Sequence, residues 1–227
     1  MKYARVGFDI GLFSNTRDEQ LDFWQQVVGL PYDHMGKLGG GMQQHRHHLH
    51  GAILKMNHAR QPLPTAPASG YRELIVAQPG RTTLASLSDP DGNRVVLVPP
   101  DHDGVATVAL VQETADMAAM TRFYRDGLGL EEVAPGRFRT GQALIVLRQG
   151  TAPERCDDWR APGYRYITFQ VDDARTGFAE ALANGAETGA PLRDMGDLVR
   201  FGFIRDPDGN WIEISERTTF TGHPLAA

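Results

Sequence analysis

The chain has 227 residues, 41% hydrophobic and 22% charged, with a net charge of −5. That is enough for one large domain or two small ones, and the acidic balance argues against nucleic acid as the main partner, because phosphate binding needs a basic face. No apolar run reaches membrane-spanning length, Met1 to Phe13 lacks a signal-peptide core, and the single Cys156 cannot form an internal disulfide, so the expected compartment is the cytoplasm, with no membrane partner.

Arg5 to Phe13 alternates like a strand. Thr16 and Glu19 have the spacing of a capping box, and Leu21, Phe23, Trp24, Val27 and Val28 form the apolar face of a helix that stops at Gly29. Tyr32 to Leu38 is a weak strand. Met42 to His48 and Ala52 to His58 form a hairpin turned at His50-Gly51. A proline-rich loop leads to strands at Tyr71 to Ala77, Leu84 to Ser88 and Arg94 to Val98, with no helix fitting between the first two. Residues 101–104 are the expected linker between an N-terminal domain, 1–100, and a C-terminal domain, 105–227. The second half repeats the plan: strand Thr107 to Gln112, helix Asp116 to Gly127, and a hairpin of Arg137 to Thr140 with Ala143 to Arg148. A polar insertion, Gln149 to Pro162, follows. The last elements are strand Tyr164 to Val171, helix Arg175 to Asn184, and strands Val199 to Ile204 and Trp211 to Ser215.

Two phrases recur in the same order. Phe23-Trp24 to Gly29-Leu30 matches Phe123-Tyr124 to Gly129-Leu130, and Asp-Pro-Asp-Gly-Asn stands at 89–93 and at 206–210. The second phrase is a tight hairpin turn, with proline fixing φ, Asp and Asn bonding to backbone, and glycine taking positive φ. The chain is therefore a duplication.

These phrases resemble those of the vicinal oxygen chelate superfamily, which includes glyoxalase I, bleomycin-resistance proteins and extradiol dioxygenases. The resemblance spans nearly the whole chain. It implies an α+β fold of four βαβββ-type units, the second lacking its helix. These would form two cup-shaped mixed β-sheets with helices on the outer faces, in a two-domain member. It implies an enzyme acting on a small oxygenated substrate (carbonyl, enolisable or aromatic), an isomerase, lyase or dioxygenase, in a polar cup of the N-terminal half. The alternative is a metal-free binding or resistance protein that sequesters an aromatic molecule. A homodimer is compatible with the exposed sheet edges such a fold leaves.

The family's ligand positions lie on the first and last strands of each unit. In the second half they fall at Ala109 (or Thr107), Tyr166 and Glu213, so the two-histidine, one-glutamate iron triad is not met. Glu213 alone could serve as a general base. In the first half they fall at Asp9, Lys55, Glu73 and Val96. The histidine-rich strand adds Arg46 and His48, which with Lys55 and Asn57 share one face if His50-Gly51 is the turn, while His45 and His47 face the helix side. The catalytic candidates are thus Asp9, Lys55, Glu73 and Glu213, and the substrate-binding candidates are Arg46, His48, Asn57 and Tyr166. Two site chemistries stay open. In one, His48, Asp9 and Glu73 hold one divalent ion of Fe, Mn, Zn or Ni. In the other there is no metal, and Arg46, His48 and Lys55 bind an anionic or enolate-like substrate with Asp9 or Glu73 as base.

Overall fold

The computed structural model describes residues 1–225. The first unit comprises β1 (Tyr3–Ser14), helix α1 (Arg17–Asp22) running into a π-turn (Phe23–Val27), β2 (Tyr32–Gly39), β3 (Met42–Leu49) and β4 (Ala52–Ala59). The second holds only β5 (Tyr71–Ala77), β6 (Ala85–Ser88) and β7 (Arg94–Val98), so it lacks a strand as well as the helix. The third has β8 (Val108–Thr114), α2 (Met117–Arg122) with its π-turn (Phe123–Gly127), β9 (Glu131–Ala134), β10 (Arg137–Thr140) and β11 (Ala143–Gln149). The fourth has β12 (Gly163–Val171), α3 (Ala174–Ala183), β13 (Glu187–Met195), β14 (Val199–Arg205) and β15 (Trp211–Arg217), and α4 (Thr218–Thr221) follows it. The sequence reading omitted β9 and β13. Most of β13 is exposed and shows no alternation to reveal it.

The units pair across the halves. One sheet runs β13-β14-β15-β12-β1-β4-β3-β2, joining the first and fourth units, and the other runs β6-β7-β5-β8-β11-β10-β9, joining the second and third. At each centre two first strands meet antiparallel, β1 with β12 and β5 with β8. Each half of the chain therefore contributes one unit to each sheet.

The two recurring phrases meet in space. The Trp24 indole N–H donates to Gln20 Oε1 at 2.7 Å, and Gln20 Nε2 donates to Asp89 of the first turn at 3.0 Å. Likewise the Tyr124 hydroxyl donates to Gln112 Oε1 at 2.6 Å, and Gln112 Nε2 donates to Asp206 of the second turn at 2.6 Å. Each relay ties the turn of one sheet to a unit of the other. Burial pushes the Asp206 carboxyl up to about 6, against its hydrogen bonds from Asn210 and Gln112. The helix phrases end alike, with Val28 N–H bonding Phe23 O and Leu128 N–H bonding Phe123 O, both at 2.9 Å across five residues. The Thr16–Glu19 capping box does not form: Thr16 makes no side-chain cap, and its hydroxyl donates to Asp91 at 3.2 Å. The acidic caps belong to Asp116 and Asp173, which accept from Ala119 N–H and Thr176 N–H.

Candidate active site

The concave side of the eight-stranded sheet holds a cavity of about 860 Å³. Lys55 sits at its floor. Hairpin register sets Arg46 opposite Lys55 and His48 opposite Ile53, as the turn at His50-Gly51 predicts. Lys55 Nζ donates to Thr168 Oγ1 at 2.6 Å and to Glu213 Oε2 at 2.9 Å, and it lies 3.6 Å from Asp9 Oδ2. Thr168 in turn donates to Glu213 Oε2 at 2.6 Å. Thr168 and Glu213 are register partners on β12 and β15, and Asp9 faces Thr168 across β1 and β12. The floor is thus built from both halves of the chain, not from the N-terminal half alone.

Asp9 is fully buried beneath this floor, where it pairs with Arg5 and accepts Ile53 N–H at 3.0 Å. Burial alone would raise the Asp9 carboxyl, but Lys55, Arg5 and Arg46 together hold it below its ordinary range. Glu213 lies at the cavity wall. Burial opposes its charge too, and Lys55, the Thr168 hydrogen bond and Arg217 keep its carboxyl low. Burial pulls the Lys55 ammonium below the usual lysine value, with Arg217 and Arg46 adding to the effect and Glu213 and Asp9 resisting it.

A polar relay runs up one side of the cup. Tyr166 OH accepts from Asn57 Nδ2 at 3.3 Å, Asn57 Oδ1 accepts from Gln44 Nε2 at 3.0 Å, and Gln44 Oε1 accepts from Arg46 at 2.9 Å. The Tyr166 ring lies 5.5 Å from Lys55 Nζ and packs across Gly11, where any Cβ would fall inside the ring. Trp159, from the polar insertion, stacks on Phe203 at 4.8 Å and meets Tyr166 edge-on at 5.7 Å. His48 is exposed at the cavity mouth. His45 and His47 point to the other face, toward Tyr32 and Gln25.

Glu73 does not join this cluster. It belongs to the seven-stranded sheet, where it pairs with Arg94 and, at 3.5 Å, with Arg148. The sequence reading grouped it with Asp9 and Lys55 among the ligand positions of the first half, whereas the carboxylate beside Lys55 is Glu213 of the fourth unit. Thr168, Gln44, Arg5 and Arg217 were missed. No motif marks them, and they converge only through the pairing of the first unit with the fourth.

The expected metal ligands do not converge either. His48 stands at the mouth, Asp9 lies under the floor and Glu73 is in the other sheet. Among the described residues no three of His, Cys, Asp and Glu stand close enough to share an ion. The space between Asp9 and Glu213 is taken by the Lys55 ammonium, which repels a divalent cation. This donor set does not fit a divalent metal.

Two curled sheets with central parallel pairs of first and last strands define the class: the vicinal oxygen chelate fold in its four-unit form. Residues 107–214 match the model of the Glyoxalase/Bleomycin resistance protein/Dioxygenase superfamily. Glyoxalase I from Zea mays is 12% identical and superposes with a TM-score of 0.70 over 95% of each chain. A putative dioxygenase from Bacillus subtilis is 14% identical, with a TM-score of 0.65 over 95% of this chain and 86% of its own. The cppA protein from Streptococcus pneumoniae is 9% identical, with a TM-score of 0.53 over 95% and 100%. At these identities the likeness is one of fold. The chain matches no curated protein in sequence. Among the described residues no helix is long and apolar enough to cross a membrane.

Proposed function

We propose that the protein is an enzyme acting on a small enolisable carbonyl compound in the cup of the eight-stranded sheet, with Lys55 in the role that a Lewis acid would otherwise fill. The observation that carries this reading is the Lys55 ammonium at the cavity floor, bridging Glu213 and Thr168 with Asp9 beneath. Two of its N–H donors have short acceptors, while Asp9 at 3.6 Å lies beyond hydrogen-bond length for the third. That third donor can take a substrate carbonyl oxygen.

Glu213 is the base in this scheme. Its carboxylate removes the proton from the carbon next to the carbonyl, and the electron pair moves onto the oxygen. The Lys55 ammonium holds the resulting enolate by hydrogen bond and charge. Return of the proton to the same carbon, on either face, completes an exchange or an epimerisation. Asp9 keeps Lys55 in place and does not face the substrate. Tyr166, held by Asn57, orients the ligand from the relay side, and His48 stands at the entrance.

The test is proton exchange in heavy water. Chelator-treated protein is incubated with a panel of aldehydes, ketones and 2-oxo acids, and deuterium entry next to the carbonyl is followed by NMR. Exchange that Glu213→Gln and Lys55→Met each lower by about a hundredfold or more fits general-base catalysis. Exchange that stops on chelation, or that survives Glu213→Gln, rejects the scheme. Tight retention of a panel member with no exchange favours a sequestering protein instead.

A further inference from the structure

Five guanidinium groups share the cavity with Lys55, and three of them stand apart from Arg160 and Arg193. Arg5, Arg46 and Arg217 all line it, and the Nε of each is buried with no hydrogen-bond partner. Arg46 is itself nine-tenths buried, with 9% of its surface exposed. Its NH1 is satisfied by Gln44, but its nearest carboxylate, Asp33, lies 3.9 Å from Nε, too far for a hydrogen bond. The Arg217 side chain makes no hydrogen bond or ion pair with another described residue. Burial lowers Arg46, Arg217 lowers it further, and Arg217 also lowers Lys55, so the three cations stand near enough to repel one another. Among the described residues, the only carboxylates along the cavity wall are Asp33 and Glu213. A protein of net charge −5 has thus placed in this cavity one arginine, Arg217, with no carboxylate partner among the described residues, and another, Arg46, with none within hydrogen-bond distance. Buried like charges persist where a ligand supplies the missing anion.

Another part of the cavity lining is aromatic: Trp159, Tyr166, Phe201 and Phe203. Of these, Trp159 comes from the loop before β12 and is held by edge contacts to Phe13 at 5.3 Å and to Tyr166. A ring entering beside Trp159 would find π-faces and edges in place.

We infer that Arg46 and Arg217, with Arg5 behind them, form an anion subsite, and that the substrate is an aromatic ring carrying an anionic group, a carboxylate or a phosphate-type oxyanion. Guanidinium forks match both groups bidentately. This rests on the proposed function for the location of the reacting centre, but the subsite is read by binding alone.

The experiment is calorimetric titration of the whole protein with benzoate, acetate, benzyl alcohol and phenylphosphonate. Benzoate is expected to bind at least about tenfold more tightly than acetate, which lacks the ring, and than benzyl alcohol, which lacks the charge. Arg46→Gln and Arg217→Gln should each erase the margin over benzyl alcohol, and Trp159→Ala the margin over acetate. Arg217→Gln relieves like-charge repulsion, so its melting temperature should hold or rise while affinity falls, which separates a ligand residue from a structural one. Phenylphosphonate binding more tightly than benzoate assigns the subsite to a dianion, and the reverse order assigns it to a carboxylate. Glu213→Gln, expected to be inactive in exchange, should keep the benzoate margin. Benzoate that fails to bind at millimolar concentration overturns the inference. So does benzyl alcohol binding as well as benzoate, or a margin untouched by both arginine variants. A margin kept by wild type that shows no proton exchange leaves the subsite standing and removes the proposed function.

Discussion

The two sheets of this protein are built on one plan and filled with opposite chemistry. In the eight-stranded sheet the central residues are Asp9, Lys55, Thr168 and Glu213, all buried. In the seven-stranded sheet Ile75 faces Ala109 across the central strand pair and Val96 across the parallel one. These residues join Ala77, Val98, Val105 and Leu144 in a small apolar cluster of their own. The aliphatic sheet needs nothing to satisfy it and gives its strands to stability. The polar sheet carries charges out of water, which costs several kcal/mol per ion in order-of-magnitude terms unless they are fully paired. On the function proposed above, duplication leaves one copy of the cup as a support for the other.

The comparison breaks most sharply at Lys55. Lys55→Met leaves Asp9 and Glu213 buried without their shared cation, and it should destabilise the protein by about 3–5 kcal/mol. Lys55→Met combined with Glu213→Met should recover a large part of that loss, because an apolar pair of similar volume tolerates burial, as the other sheet shows. Urea unfolding of the single and double variants tests this. A double variant no more stable than Lys55→Met would mean that the ion network is an integral brace of the fold.

Acid should also separate the sheets. The strands of the seven-stranded sheet carry no histidine, whereas burial, helped by neighbouring His45, pushes His47 behind the polar sheet down to about 4. The folded value lies below the unfolded one, so the unfolded chain takes up protons first. The stability due to neutral His47 is full above the ordinary histidine value and is lost as pH falls toward 4, by up to roughly 3 kcal/mol. Asp206, raised to about 6, acts in the opposite sense, its contribution being lost as pH rises through 6. Melting temperature between pH 4 and 6.5 should therefore fall less steeply in His47→Gln than in wild type. Equal slopes would remove His47 from the acid response.

A smaller effect is expected at Gly11. Gly11→Ala must push the Tyr166 ring off β1 and into the cavity, an overpacking cost of about 1–3 kcal/mol. Benzoate affinity should fall with it. A structure of the variant with Tyr166 unmoved would show that β1 itself yields.

Much of the fold was legible because its signals are local. The helix phrases, the glycine stops and the Asp-Pro-Asp-Gly-Asn turns depend on residues within one turn of one another. The hairpin at His50-Gly51 likewise placed Arg46 opposite Lys55. The site was legible only in part, because it depends on which first strands meet. Asp9, Lys55 and Glu213 each stood out as charged residues at inward strand positions, yet nothing local to Glu213 says that it pairs with Lys55, 158 residues away. Glu73 stood out by the same pattern and belongs to the other sheet. Arg5 and Arg217, near the two ends of the described chain, become neighbours of the cavity only because β1 and β15 flank the same β12.

Glu73 gives the mildest test and the most diagnostic one. It has the residue type, the strand position and the inward direction of a site residue, and its carboxylate is paired with two arginines that are themselves about half exposed. Partly solvated pairs of this kind contribute on the order of 0–1 kcal/mol. Glu73→Gln should therefore shift the unfolding midpoint little and leave both benzoate binding and proton exchange at wild-type levels. Glu213→Gln, a substitution of the same chemistry in the other sheet, should remove exchange. Were Glu73→Gln instead to lower exchange while Glu213→Gln did not, the reacting cup would be the aliphatic one, and the charges around Lys55 would be the support.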